Sequence, residues 1–132
     1  LKHQLAKVDK TPVLVFDEID ANIGGRMGEV IGEKLRSIAR SHQVICITHL
    51  PQIASYADEQ WKVNKLVKNG KTYSTIENLS GDTRLEEIAD MIRGSEKTEI
   101  TRKQGQEMLR DAKRKVKSNQ TSDIRTIWRC NG

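Results

Sequence analysis

The sequence predicts an α/β fold in which parallel strands are joined by a crossover helix and followed by a β-hairpin and two C-terminal helices. Two apolar runs, residues 13–16 and 44–47, do not alternate with polar residues and are typical of strands buried on both faces of a sheet. The helix-length segment between them, residues 26–40, gives a strand–helix–strand unit, which places its strands in parallel at adjacent or near-adjacent positions. The dipeptide Asn69-Gly70 between two later β-type runs is typical of a tight two-residue hairpin turn.

The helices of this fold have their own local signals. Gly28 and Gly32 lie four residues apart in the crossover helix and so share one face of it. Each glycine weakens a helix interior, and two on one face therefore indicate close packing against a neighbouring element. The first C-terminal helix is predicted to open with a capping box at Thr83 and to stop at Gly94. The second is predicted over residues 98–116.

Acidic and imidazole side chains follow the two apolar runs at the point where each predicted strand ends. Asp17, Glu18 and Asp20 come directly after the first strand, and His49 follows the second. The carboxyl ends of parallel strands share one edge of the sheet, which is where open α/β sheets bind ligands. Carboxylates this close together repel one another unless a cation or hydrogen bonds stabilise them. The sequence therefore predicts a Mg²⁺–nucleotide site at this edge.

Three segments carry a resemblance to a known family. Val-Phe-Asp-Glu-Ile-Asp-Ala, residues 15–21, resembles the Walker B segment of the SMC-type branch of ABC ATPases. Cys-Ile-Thr-His-Leu-Pro-Gln-Ile-Ala, residues 46–54, resembles the switch-histidine segment of the RecN family of bacterial DNA repair proteins. Residues 85–94, followed by a long helix, are similar to the end of the same family. The resemblance covers roughly residues 1–115 and implies the C-terminal half of an ABC/SMC-type P-loop ATPase head.

The resemblance implies a role for each residue that follows the two strands. Asp17 would hold Mg²⁺, directly or through a water, so that the cation bridges the β- and γ-phosphate oxygens of ATP. Glu18 would orient and deprotonate the attacking water as the general base. His49 would reach the γ-phosphate and sense the state of the nucleotide.

The loop after the first strand matches the D-loop of the family, which faces the partner's nucleotide in dimeric heads. Asn22, Ile23 and Gly24 are therefore candidates for nucleotide binding. The chain departs from the family pattern at Gly24, where many ABC proteins carry Asp and RecN-like sequences commonly carry Ser. Glycine has no side chain to contact the nucleotide, so only its backbone could do so. Asp20 is expected to tie the loop to its neighbours by hydrogen bonds and to take no part in catalysis.

The chain matches one half of such a head. No G-x-x-x-x-G-K-[ST] phosphate-binding loop occurs in its 132 residues. The resemblance thus implies a C-terminal fragment, inactive alone, of an ATPase that acts in DNA double-strand break repair and recombination. In the full-length protein ATP would lie between the heads of a homodimer, and DNA would be a partner. We predict a head lobe over residues 1–117 and a flexible tail over residues 118–132.

The composition limits the kinds of binding partner and the cellular compartment that the chain can have. The 23 Lys and Arg exceed the 18 Asp and Glu by a modest surplus of +5, which fits a basic surface as well as a contact with nucleic acid. Cys46 and Cys130 form no motif and are expected to be free thiols, as in a cytosolic protein. No stretch approaches the ~18 apolar residues of a membrane span. With the resemblance, these features predict a bacterial cytoplasmic protein, associated with the nucleoid and without a membrane partner.

Three other interpretations stay open at the level of the sequence. Acids at strand ends also bind two Mg²⁺ ions in nucleases and topoisomerase-type domains, which here would need Asp58 and Glu59 as a further cluster. In a non-catalytic module the acids would form only salt bridges, with Arg26 or Arg84. The nucleotide-binding domain of an ABC transporter is disfavoured by Ile19, since transporters usually carry Pro after the Glu.

Overall fold

The computed structural model describes residues 12–93, 98–118 and 127–131. The order of elements confirms the predicted α/β class: β1 Val13–Asp17, α1 Gly25–Ile38, β2 Gln43–Thr48, α2 Pro51–Ala54, β3 Glu59–Lys68, β4 Lys71–Leu79, α3 Gly81–Arg93, α4 Glu99–Ser118 and β5 Ile127–Asn131. The start of the predicted head lobe, the predicted helix stop at Gly94 and much of the predicted tail lie outside the described residues. Of the helices that the structure describes, none is both long enough and apolar enough to span a membrane.

The strands form one sheet in the order β1-β2-β5-β3-β4. β1 and β2 are adjacent and parallel, as predicted, with Asp17 opposite Ile47. β3 and β4 are antiparallel and joined at Asn69 and Gly70, whose φ angles of 52° and 70° identify the predicted hairpin turn as one with two left-handed residues.

β5 corrects the prediction of a flexible tail. Residues Ile127–Asn131 form a strand in the interior of the sheet, parallel to β2 on one side and to β3 on the other. Ile127 lies opposite Ile45 of β2 and Glu59 of β3. The prediction of a flexible tail is therefore wrong for residues 127–131. Their strand links the β1–β2 pair to the hairpin.

The main core lies on one face of the sheet. Leu14 and Phe16 of β1 face the helices, and Cys46 of β2 is fully buried among them, as predicted. The other members of this cluster are Leu35, Ile38, Ala39, Val44, Ile53, Tyr56, Ala57 and Ala112. On the opposite face Val13 is 38% exposed and Val15 is 62% exposed. The prediction that β1 is buried on both faces is wrong, because successive side chains alternate and the described helices cover the side of Leu14 and Phe16.

α1 and the segment after β2 pack closely at the predicted glycines. A Cβ atom at Gly32 would lie 2.5 Å from Cδ2 of Tyr56, and one at Gly28 would lie 3.1 Å from Cβ of Gln52. Close packing at both positions is confirmed. The segment that directly follows His49 is thereby held against the helix that follows the β1 loop.

The start of α3 differs from the prediction by two residues. The helix begins at Gly81 rather than at Thr83. The Thr83 hydroxyl accepts a hydrogen bond from the backbone N–H of Ser80 at 3.1 Å and donates one to the Ser80 carbonyl at 2.8 Å. Thr83 thus reaches back from inside the first turn instead of preceding it.

Candidate functional site

The ends of β1 and β2 bring the predicted site residues to one edge of the sheet. Asp17 is the last residue of β1, opposite Ile47, and Glu18 follows it. Thr48 is the last residue of β2, and His49 follows it. Asp17 and Glu18 are exposed, and the His49 side chain is 65% exposed. The predicted common edge is confirmed, with all three side chains accessible from solvent.

The loop after β1 has an unusual backbone. Glu18 has a φ of 50° and Asn22 a φ of 64°. Asn tolerates this left-handed region, whereas for Glu it costs roughly 1–2 kcal/mol. The loop is closed by two backbone hydrogen bonds, from Ala21 N–H to the Glu18 carbonyl at 3.3 Å and from Ile23 N–H to the Asp20 carbonyl at 3.1 Å. Strain of this kind persists where the surroundings impose it, and it occurs most often at functional sites.

Asp20 is the buried centre of this edge. It is 2% exposed, and its Oδ2 atom accepts hydrogen bonds from the Thr48 hydroxyl and, at 2.9 Å, from the His49 backbone N–H. The Nδ1 atom of the His49 ring lies 3.2 Å from the same oxygen. Thr48 in turn accepts a hydrogen bond from the Leu50 N–H at 3.0 Å. The expectation that Asp20 ties its loop to its neighbours by hydrogen bonds is confirmed, and the neighbour is the end of β2.

The hydrogen bonds keep Asp20 ionised despite its burial. Burial is the largest influence and by itself raises the pKa of this carboxyl, because an apolar environment disfavours the charged form. The hydrogen bonds from the Thr48 side chain and the His49 backbone outweigh it, with help from the charge of the His49 ring, and hold the pKa of Asp20 below its usual value. Asp20 is therefore a carboxylate at neutral pH.

The three D-loop candidates form the end of this loop, directly before α1. Asn22 and Gly24 are exposed and Ile23 is half-buried. Gly24 is the N-cap residue of α1, with extended φ and ψ angles of −83° and 165°, and its carbonyl accepts a hydrogen bond from Gly28 N–H at 3.0 Å. A Cβ atom at Gly24 would meet nothing within 4 Å. The backbone there does not require glycine, and the segment is open to an approaching molecule.

Two residues of the site were not identified from the sequence. Thr48 shares the Asp20 oxygen with His49. The Gln52 side chain packs against Gly25 and Gly28, and its Oε1 atom is buried without a hydrogen-bond partner among the described residues. The spacing of the glycines in α1 indicated a close neighbour, but no pattern in the sequence shows which residue it is.

An open groove of about 770 Å³ lies beside the edge. It is lined by Leu50 and Pro51, which follow His49, and by residues of α1, α3 and α4. Among its described lining residues there is no Asp17, Glu18 or His49. These three side chains are exposed and lie outside the lining of this groove.

The donor set at this edge suits a cation that arrives with phosphate ligands. Within the described ranges, no three His, Cys, Asp or Glu side chains are grouped closely enough to hold a metal ion. Mg²⁺ is usually bound through one or two carboxylates and completes its shell with water and substrate phosphates. The exposed carboxylate of Asp17 fits that role, whereas the acid cluster of a two-metal nuclease is not found in these ranges.

Arg84, a cation considered as a salt-bridge partner for the acids, has another position. It donates hydrogen bonds to the Gln60 side chain at 3.2 Å and to the Ala57 carbonyl at 2.8 Å. Further bonds reach the carbonyls of Ala54 and Ser55 at 3.4 Å. Arg84 thus holds α3 to the turn that follows α2.

The fold matches that of a class of ATPases. A solved structure from work on the ATP-driven dimerization and DNA-stimulated activation of SMC ATPases aligns with a TM-score of 0.54 over 70% of this chain and 55% of that chain, at 22% identity. The parallel strands with their crossover helix, the hairpin and the two later helices therefore share the fold of part of that SMC ATPase structure.

The sequence relatives identify the family. DNA repair protein RecN of Streptomyces coelicolor is 40% identical over 82% of this chain, that of Deinococcus radiodurans 48% identical over 64%, and that of Bacillus subtilis 38% identical over 75%. No protein-family model matches the chain. The chain covers 19%, 15% and 17% of these three relatives, less than a fifth of each. It belongs to the RecN family and corresponds to its C-terminal part.

Proposed function

We propose that this chain is the part of an SMC-like ATPase that supplies the Walker B, D-loop and switch segments for ATP hydrolysis. The full-length protein would act in DNA double-strand break repair and recombination, in the bacterial cytoplasm at the nucleoid. The observation that carries the proposal is the parallel pairing of β1 with β2, which brings Asp17, Glu18 and His49 to one accessible edge. The relatives named DNA repair protein RecN support the biological role.

Asp17 and the D-loop residues would bind the nucleotide. The carboxylate of Asp17 ends β1 and would hold Mg²⁺, which when bound neutralises charge on the β- and γ-phosphate oxygens. Asn22, Ile23 and Gly24 would face the nucleotide of a second head, because their segment is open on the surface at the start of α1. The functional unit would then be a homodimer of heads.

Glu18 and His49 would carry the chemistry. The left-handed backbone at Glu18 turns the chain sharply at the end of β1. As the general base, Glu18 would meet the attacking water there. The exposed ring of His49 would contact the γ-phosphate and fix the geometry of that water. Both groups would act by position and proton transfer, which is how proteins catalyse phosphoryl transfer.

The 132-residue chain should not hydrolyse ATP alone. A phosphate-binding loop cradles the nucleotide with backbone N–H groups and a Lys, and the sequence contains no such motif. Phosphate release by the purified chain with Mg²⁺ and ATP should equal that of a blank without protein. Mg²⁺-dependent turnover above the blank would contradict this part of the proposal.

The decisive test is Glu18→Gln in the full-length protein. The amide keeps the shape of the side chain but removes the base, so hydrolysis should fall ~10²–10⁴-fold while ATP still binds. The ATP-bound dimer should accumulate, because the state after hydrolysis is not reached. Asp17→Asn should differ by weakening Mg²⁺–ATP binding as well as turnover.

Glu29→Gln is the matched control, since Glu29 is an exposed acid on α1 whose side chain is 54% exposed. Its hydrolysis rate and ATP affinity should match those of the parent. The measurements are ATP affinity, phosphate release and dimer fraction for the three variants side by side. A parental hydrolysis rate in Glu18→Gln would show that Glu18 is not the base.

A further inference from the structure

We propose that Asp20 is a positioning residue for His49: its carboxylate accepts the Nδ1 proton of the imidazole and leaves Nε2 to face the reacting phosphate. The consequence for hydrolysis rests on the function proposed above. The assignment of the ring proton itself depends on the geometry of the described residues alone.

One carboxylate oxygen holds His49 at two points. Oδ2 of Asp20 accepts the His49 backbone N–H at 2.9 Å and lies 3.2 Å from Nδ1 of the ring. A carboxylate accepts hydrogen bonds and cannot donate them, so the ring nitrogen that faces it carries the proton. In the neutral imidazole the other nitrogen, Nε2, is then the acceptor.

The carboxylate is rigid, which is what a positioning group requires. Asp20 is 2% exposed, and the Thr48 hydroxyl donates to the same oxygen that faces His49. The His49 side chain is 65% exposed, so its ring orientation depends on few contacts. An exposed imidazole exchanges between rotamers and tautomers, and a fixed buried acceptor selects one of each.

The contact also joins the two halves of the site. Asp20 lies two residues after Glu18 in the strained loop and two residues before Asn22. The same loop therefore carries the proposed base, the acceptor for the imidazole and the start of the D-loop. A displacement of this loop would move the ring of His49 together with Glu18, because Asp20 of the same loop contacts His49 directly at the end of β2.

The test is nitrogen NMR of the imidazoles in the 132-residue chain. At alkaline pH, where imidazoles are neutral, His49 should show a protonated Nδ1 and an unprotonated Nε2. Asp20→Asn replaces the carboxylate by a neutral amide that can donate as well as accept, so His49 should become a mixture of tautomers. His42, whose Nδ1 lies 2.8 Å from the Ser41 hydroxyl, is the internal reference and should not change.

Thr48→Val is the matched control, because it removes another donor to the same oxygen without changing either partner of the ring contact. It should leave the His49 tautomer as in the parent. A protonated Nε2 in the parent chain would overturn the proposal, whether or not Asp20→Asn folds. An unchanged tautomer in folded Asp20→Asn, or an equal change in Thr48→Val, would overturn it as well.

A kinetic measurement in the full-length protein separates positioning from support of the fold. With the ring no longer fixed, kcat of Asp20→Asn should fall by about 10–100-fold, as for other groups that orient a functional histidine, while KM stays near the parental value. A rise in KM at constant kcat would overturn a positioning role. If Glu18→Gln retained full activity, the proposed function would fail, while the NMR result on the His49 proton would still stand.

Discussion

The β1–β2 edge and the β3–β4 hairpin hold their shapes in different ways. In the hairpin, both left-handed residues are the Asn and Gly that favour such angles, and the strands pair regularly from Gln60–Leu79 to Lys68–Lys71. At the edge, a left-handed angle falls on Glu18, and a carboxylate, Asp20, is buried. The hairpin follows local rules, whereas the edge breaks two of them. Such violations concentrate where a chain is selected for function.

The two regions also differ in what a substitution can disturb. Much of the hairpin is open to solvent, with Leu66 58% exposed and Val67 75% exposed. The edge depends on one oxygen of Asp20, which binds Thr48 and His49. Loss of a single side chain should therefore cost far more stability at the edge than at the hairpin.

The largest expected effect is that of Asp20→Ala. It leaves the His49 N–H and the Thr48 hydroxyl without their acceptor, and each such loss costs about 1–3 kcal/mol. We expect the free energy of unfolding of the chain to fall by about 2–4 kcal/mol, as measured by urea denaturation. Lys68→Ala at the end of the hairpin should change it by no more than about 0.5 kcal/mol. Equal losses in the two variants would remove the contrast between the regions.

Acid should remove the stabilisation that the Asp20 carboxylate gives to the edge. The pKa of Asp20 is lower in the folded chain than its usual value. Its contribution is therefore fully present above the unfolded-state pKa and is lost as the pH falls through the folded-state pKa. The difference in unfolding free energy between the parent and Asp20→Asn should be constant near neutral pH and shrink below about pH 4.

The control for this acid effect is Glu33→Gln. The pKa of Glu33 is also lowered, chiefly by its hydrogen bond from Lys115, but both side chains are about half exposed. Its pH-dependent contribution should be smaller than that of Asp20, because solvent screens exposed pairs. A difference between parent and Asp20→Asn that does not vary with pH would mean that the charge of Asp20 is not what stabilises the edge.

The contrast also shows how far the sequence could predict this chain. The sequence correctly predicted strands at residues 13–16 and 44–47, the hairpin turn and the close packing of the α1 glycines, because these signals are local. β5 was not predicted, since Ile127–Asn131 has no periodicity and becomes a strand only by pairing with distant residues. The exposure of Val15 likewise depends on which elements cover the sheet.

The candidate site divides in the same way. The shared edge of Asp17, Glu18 and His49 followed from the parallel arrangement of two strands, which the sequence indicates. The contact of Asp20 Oδ2 with the His49 ring depends on side-chain geometry between residues 29 positions apart. The φ of Glu18 could not be foreseen either, because Glu has no preference for the left-handed region.

Opposite substitutions at Glu18 and Gly70, which both have left-handed backbone angles, should change the unfolding free energy in opposite directions. Glu18→Gly relieves the backbone strain and should raise the unfolding free energy by about 0.5–1 kcal/mol. Gly70→Ala places a Cβ at a φ of 70° and should lower it by about 1 kcal/mol. Both changes are measured by denaturation of the 132-residue chain.

Asp17→Gly is the control for the first substitution, because Asp17 ends a regular strand and glycine weakens strands. It should destabilise the chain. If Glu18→Gly also destabilised it, the left-handed angle at Glu18 would carry no strain, and the loop would follow local rules as the hairpin does.

The smallest expected effect is at Gly24, and it marks where the strained part of the edge ends. Gly24 has a φ of −83°, lies in open space and caps α1 without a side-chain hydrogen bond. Serine fits this backbone, and its hydroxyl can accept a bond from the first turn of the helix, so Gly24→Ser should stabilise the chain by a few tenths of a kcal/mol. The melting temperature should rise by about 1 °C. Gly24→Ala lacks the oxygen and should not show this gain. A loss of stability in Gly24→Ser would mean that the loop constrains Gly24 as it does Glu18, and the irregular region would then extend to the start of α1.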